Sequence, residues 1–153
     1  HPGRVADVTV DGAVVGHVGE VDPDVSAGWG IEGRVGWLEV DLEAIAGGQR
    51  RSEMAVPVSR FPSSDIDLSF EVADGTPAAS VSATLASAGG GLLEQLILFD
   101  VYRGPGVPAG SRSLTFRLRF RAFDRTLTAS EVGELRTACI AAVEAAHPAR
   151  LRA

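Results

Sequence analysis

A chain of 153 residues with 45% hydrophobic and 22% charged side chains has the composition of one ordinary globular domain or two small ones. No apolar run reaches the ~18–20 residues of a membrane span, no basic start leads into an apolar leader, and one cysteine cannot staple a fold. The net charge of −6 opposes nucleic-acid binding on average, although one basic stripe on an acidic protein is enough to bind it.

The default location is cytoplasmic, with no membrane partner expected. All basic residues are arginine, and with abundant Ala and Gly this reads as the codon bias of a GC-rich genome. The chain opens on His1-Pro2-Gly3 without a methionine, so it is read as a fragment whose function belongs to a larger protein.

In chain order, Val5 to Val10 and Ala13 to Val18 read as a hairpin around Asp11-Gly12, a strong two-residue turn signal. Asp22-Pro23 favours a turn or helix start, and Val35 to Leu42 is a further strand candidate. Residues 1–58 therefore hold about three strands and one short helix. A unit of ~60 residues buries a marginal share of its surface, so this piece is expected to end a larger domain and to leave Trp29, Trp37 and Leu38 uncovered. The stretch from Ala46 to Pro62 mixes Gly, Pro and charge most densely and is taken as the domain boundary.

Beyond residue 63 the pattern sharpens. Ile66, Leu68, Phe70 and Val72 alternate with polar residues, which predicts a half-buried strand. Thr76 is expected to cap a helix with Pro77 at its first position, running to about Ala88 and stopped by Gly89-Gly90-Gly91. Leu92 to Tyr102 reads as a second strand, residues 104–110 as a loop and Ser113 to Arg121 as a third strand. Thr128 and Glu131 form a capping box opening a helix that runs to about Ala146, and Arg150-Leu151-Arg152 begins a last strand. The order strand-helix-strand-strand-helix-strand is the split βαβ pattern. The predicted fold class is α+β, a ferredoxin-like βαββαβ sandwich over residues 59–153 preceded by an antiparallel α+β piece over 1–58.

The third strand carries the most information. Leu114, Phe116, Leu118 and Phe120 share one face; Ser113, Thr115, Arg117, Arg119 and Arg121 share the other. Both helices of a split βαβ sandwich cover one sheet face, so three arginines stand in a row on the open one, suited to phosphate and to stacking on bases. A solvated row is the commoner meaning of such a pattern. A second bland reading has Asp67 and Glu71 of the neighbouring first strand pairing with the row. Arg103 and Arg112, at the ends of the adjoining loop, are expected to extend the patch, with Tyr102 as a stacking surface.

Nothing in the chain reads as an active site. The 104–110 loop has the spacing of neither a dinucleotide fingerprint nor a P-loop, and Pro105 and Pro108 remove amide donors that a phosphate nest needs. Asp65, Asp67 and Glu71 share a strand face by simple alternation. His1, His17 and His147 lack ligand spacing, and Cys139 lies on the inner helical stripe with Leu135 and Val143.

Several stretches together resemble one family. Leu98-Phe99-Asp100-Val101-Tyr102-Arg103-Gly104, then Val107 to Leu114, then Phe120 to Thr128 with Glu131-Val132, are similar to the ferredoxin-fold anticodon-binding domain that closes the β subunit of bacterial phenylalanyl-tRNA synthetase. Upstream, His1 to Arg4, Val15 to Pro23 and Leu38 to Leu42 resemble the preceding part of that subunit. The sequence departs from the family pattern at Asp22-Pro23, at Ile66-Asp67 and at Ser63-Ser64-Asp65.

The resemblance implies a class II ligase of two α and two β subunits that joins phenylalanine to tRNA(Phe) with ATP and Mg2+, catalysis lying in the α subunit. Residues 1–58 would finish a catalytic-like module without chemistry; no glycine-rich motif with an ATP-binding arginine is present, so no cofactor is expected in this fragment. Residues 59–153 would hold the anticodon end. The tRNA-binding residues expected are Tyr102, Arg103, Arg112, Ser113, Arg117, Arg119 and Arg121. The alternative is an assembly module of the synthetase without direct tRNA contact.

Overall fold

The computed structural model describes residues 1–47 and 59–152. The centre of the Ala46–Pro62 boundary segment lies outside the described residues. Two compact units divide the chain, His1–Ala55 and Val56–Ala153.

In the first unit, β1 (Val5–Val10), β2 (Ala13–Glu20) and β3 (Gly36–Val40) form an antiparallel sheet in the order β1-β2-β3. Asp11 and Gly12 both take positive φ, 49° and 84°, as a two-residue turn matching strand twist requires. Gly16 is needed for another reason: a Cβ there would stand 2.1 Å from the Glu39 carbonyl oxygen of β3.

Asp22 caps α1 (Pro23–Gly28), accepting from the Asp24 amide. A second helix, α2 (Leu42–Ala46), is capped by Asp41; the sequence reading missed it because five residues give no usable helical period. Little of this unit is dry. Val15 and Ser26 are buried, whereas Trp29 is 82% and Leu38 63% exposed, so the apolar surface expected to lie uncovered does so.

The second unit is a four-stranded antiparallel sheet, β4 (Ser64–Ala73), β5 (Leu93–Tyr102), β6 (Ser111–Phe120) and β7 (Ala149–Leu151), in the order β5-β6-β4-β7. Helices α3 (Ala78–Gly89) and α4 (Ala129–Ala146) cover one face. The cause is the period-two pattern: Leu68, Phe70 and Val72 of β4 and Leu114, Phe116, Leu118 and Phe120 of β6 all point the same way and are buried against Val81, Leu85, Cys139 and Val143 of the helices. Burying so much apolar area is the main force holding the sandwich together. Cys139 is a core residue whose thiol is pushed up by burial. This is the split βαβ arrangement the element order predicts.

The helix ends carry one correction. Thr128 caps α4 through the full reciprocal box with Glu131. Thr76 does not cap α3: Pro77 occupies the N-cap position with no side-chain hydrogen bond, and Thr76 is buried with its carbonyl accepting from Arg112 Nη2 at 2.7 Å. At the far end Gly90 (φ 57°) turns the chain, and Gly89 lets Leu93 approach to 2.9 Å of where a Cβ would sit. No helix of the described residues is long and apolar enough to cross a membrane.

Candidate nucleic-acid interface

With both helices on one side, the opposite face of the sheet is open. Strand register decides what it displays. Asp65 lies opposite Arg119 and Asp67 opposite Arg117, while Glu71 lies opposite Ser113 and Arg150. On β5, Gln95, Ile97 and Tyr102 face Arg119, Arg117 and Ser113 in turn.

The arginine row is on this face, as expected, but it is not a row of available cations. Arg117 donates from Nε and Nη2 to the two carboxylate oxygens of Asp67 at 2.8 and 2.7 Å. Arg119 grips Asp65 in the same way at 2.9 and 2.8 Å. Such forked pairs are the strongest geometry available to a guanidinium. The hydrogen bond from Arg119 holds the Asp65 carboxyl below its ordinary range, and that from Arg117 does the same for Asp67. Both carboxylates are therefore ionised at neutral pH, and the centre of the face is close to neutral. Arg121 lies 3.4 Å from Glu94 Oε1, within ion-pair range but without hydrogen-bond geometry.

The bland pairing predicted from sequence is thus half right. Asp67 pairs with the row; Glu71 makes no ion pair with it, because register carries it past Arg117 to Ser113. Asp65 takes the second arginine instead. Alternation had placed Asp65 on the right face, but only register shows its partner.

The remaining expected residues divide. Tyr102 and Ser113 are register partners at the end of the open face; Tyr102 is half-buried and Ser113 is buried. The Tyr102 hydroxyl donates to the Pro105 carbonyl at 3.3 Å. Arg103 is exposed and held by Asp74 through two hydrogen bonds of 3.2 and 3.0 Å, so its charge is matched too. Arg112 does not belong to the patch. It shares strand parity with the buried Leu114 and lies opposite buried Val72, which turns it to the helix side, where it braces the Thr76 carbonyl.

Two side chains that sequence reasoning passed over stand at the site. Phe99 is exposed, with the Arg117 guanidinium 5.0 Å from its ring centroid. The strand irregularity between Leu98 and Asp100 disrupts simple alternation there. Arg152 lies over the Tyr102 ring at 5.4 Å.

The 104–110 loop connects β5 to β6 through two tight turns, with Val107 N–H donating to Gly104 O at 3.0 Å and Ser111 N–H to Pro108 O at 3.1 Å. Among the described residues no group of three or more His, Cys, Asp and Glu is placed to hold a metal ion.

A split βαβ sandwich with one bare sheet face, bearing cations and aromatic rings, defines a class of binding platform that can take single-stranded bases. The chain belongs to the ferredoxin-fold anticodon binding domain family, whose model matches residues 59–152. A second family model, described as the phenylalanyl tRNA synthetase beta chain CLM domain, matches residues 1–42. Curated relatives agree. The chain is 45% identical over 152 residues to a phenylalanine–tRNA ligase beta subunit of Nocardia farcinica, covering 99% of this chain and 18% of the relative. It is 40% identical to proteins of the same name from Cutibacterium acnes and Moorella thermoacetica, again over 99% of this chain and over 18% and 19% of theirs. The chain thus spans a little under one fifth of the length of these relatives.

Proposed function

We propose that this chain is the C-terminal part of a phenylalanine–tRNA ligase β subunit and that its second unit holds the anticodon end of tRNA(Phe). The carrying observation is the open sheet face of a domain in the anticodon-binding family, with half-buried Tyr102 at one end and Arg117 and Arg119 standing in line across it, Arg121 following at the end of β6. Phosphate contacts from the arginines would position the RNA, and Tyr102 beside Ser113 would meet an unstacked base. Arg103 would add a cation at the loop. The first unit, taken as residues 1–58 with 59–153 following, would complete a catalytic-like module that performs no chemistry itself.

The intact enzyme would be a cytoplasmic α2β2 class II ligase. ATP and Mg2+ would supply phenylalanine activation on the α subunit. Among the described residues of this chain no group of three or more His, Cys, Asp and Glu is placed to hold Mg2+. Their part is to orient and retain the tRNA.

One observation favours a second reading, in which the domain serves assembly without touching tRNA: the ion pairs of Arg117 with Asp67 and Arg119 with Asp65 leave the centre of the face neutral. Filter binding of tRNA(Phe) by the assembled synthetase over a salt series separates the two. Under the leading reading, Tyr102→Leu removes the ring on which a base would stack and weakens binding at every salt concentration. Unchanged affinity at every salt concentration, accompanied by lower stability, would remove this face from the tRNA site and establish the assembly reading.

A further inference from the structure

Arg152 follows β7, and its amide donates to the Ser69 carbonyl of β4 at 2.8 Å, which fixes its backbone at the sheet. Its side chain crosses the open face. The guanidinium carbon lies 5.4 Å from the centroid of Tyr102, a residue of the opposite edge strand. It also reaches the loop, where a Cβ on Gly106 (φ 85°) would stand 3.2 Å from Arg152 Nη2. The Tyr102 ring is held at its hydroxyl end by the Pro105 carbonyl and by close approach of Gly104. An aromatic platform is thus fixed by the loop and covered by a cation from the far side of the sheet.

Arg152 differs from the other arginines here. Arg117 and Arg119 each give two hydrogen bonds to a carboxylate, and Arg121 lies against Glu94. No carboxylate partner of Arg152 stands among the described residues, and its stacking partner is the ring. Drawing Arg117 or Arg119 to a phosphate breaks a forked ion pair; drawing Arg152 there gives up one aromatic contact.

We propose that Arg152 is a displaceable cover of the Tyr102 platform: a single-stranded RNA base takes the ring, and the displaced guanidinium moves to the adjoining phosphate. An exposed cation–π contact is weaker than stacking of a base on an aromatic side chain, so the exchange runs towards the RNA. Guanidinium suits both positions, being planar enough to lie on a ring and forked to grip phosphate oxygens. The proposal rests on the tRNA-binding reading above and adds to it which cation of the face answers to the RNA.

The test measures tRNA(Phe) binding by the assembled, full-length synthetase over a salt series for Arg152→Ala, Arg152→Lys and Tyr102→Leu, with thermal melting as a check on folding. Arg152→Ala should flatten the salt slope by about one unit, so that its affinity deficit grows about three- to four-fold between about 200 and about 50 mM salt. At high salt the two lines should meet or cross, since the variant has no cover to displace. Arg152→Lys should restore the slope, keeping a phosphate contact. Parallel lines for wild type and Arg152→Ala, with Tyr102→Leu weakened, would overturn the proposal alone. If Tyr102→Leu bound as wild type, the tRNA-binding reading of this face would fall and the proposal with it.

Discussion

Replacing Asp65 and Asp67 together by asparagine tests whether the arginine row is masked or merely structural. Asparagine keeps the size of aspartate and removes its charge, so two guanidiniums now neutralised through forked pairs of 2.7–2.9 Å would be left uncompensated. Both carboxyls sit below their ordinary range because their arginines hydrogen-bond the ionised form, so the substitution alters the face by two full charges at neutral pH. Each phosphate neutralised releases counterions and contributes about 0.7–0.9 to the slope of log affinity against log salt. Two further cations meeting the backbone should steepen that slope by about 1.4–1.8 units, so affinity would fall about ten-fold more than wild type between about 50 and about 200 mM salt. The assay is filter binding of tRNA(Phe) to the assembled synthetase, with charging measured alongside. An unchanged slope with a lower melting temperature would refute the reasoning, because it would show that the pairs stabilise the sheet and that no phosphate passes within reach.

Two further tests address the two units separately. Gly16→Ala should disrupt the β2–β3 pairing, since its Cβ would meet the Glu39 carbonyl oxygen at 2.1 Å and the backbone Cα of Val40 at 2.8 Å; hydrogen exchange should show lost protection from Gly36 to Val40 while β4 to β7 stay protected, and full retention would refute it. Glu131 is held down to about 2 from its ordinary 4.5, first by the Thr128 backbone N–H it accepts and then by Arg125. Its folded pKa is depressed, so its contribution to stability is complete above about pH 4.5 and is lost as pH falls towards 2. Glu131→Gln can still close the capping box and should flatten the stability–pH curve within that window; an unaltered curve would show that the shift is not realised.

How much of this was legible beforehand follows from what strand alternation can and cannot encode. The period-two patterns at Ile66 to Val72 and Leu114 to Phe120 place the core and the open face, because a one-residue slip would turn every apolar side chain outward. A slip of two or four residues costs no such inversion, so alternation is silent about it. Pairing Asp67 and Glu71 with arginines four apart, Arg121 and Arg117, requires a register four residues away from the one observed, in which Asp67 meets Arg117 and Asp65 meets Arg119. Arg112 was misplaced by the opposite neglect: nearness to the loop suggested the patch, whereas its even parity with Leu114 already placed it on the helix side. The irregularity at Leu98–Asp100, at the end of the apolar run Leu96–Phe99, hid Phe99.

Arg152 was beyond reach for a further reason. β7 has three residues, too few for a period, and its position depends on pairing with β4 nearly eighty residues earlier. Parity alone therefore counts cations on a face, while register and long-range pairing determine which of them already have a partner. On this face that distinction decides the electrostatics. The residues most conspicuous in the sequence, Arg117 and Arg119, are the ones whose charge is already met, and the guanidinium of a less conspicuous arginine after β7 lies on an aromatic ring with no carboxylate partner among the described residues. Under the proposed tRNA-binding reading this arrangement has a physical consequence for an acidic protein. Matched pairs keep the sheet from repelling itself in the absence of RNA, and Arg152, stacked on Tyr102 with no carboxylate partner among the described residues, can be redirected without stranding a carboxylate beside the phosphate.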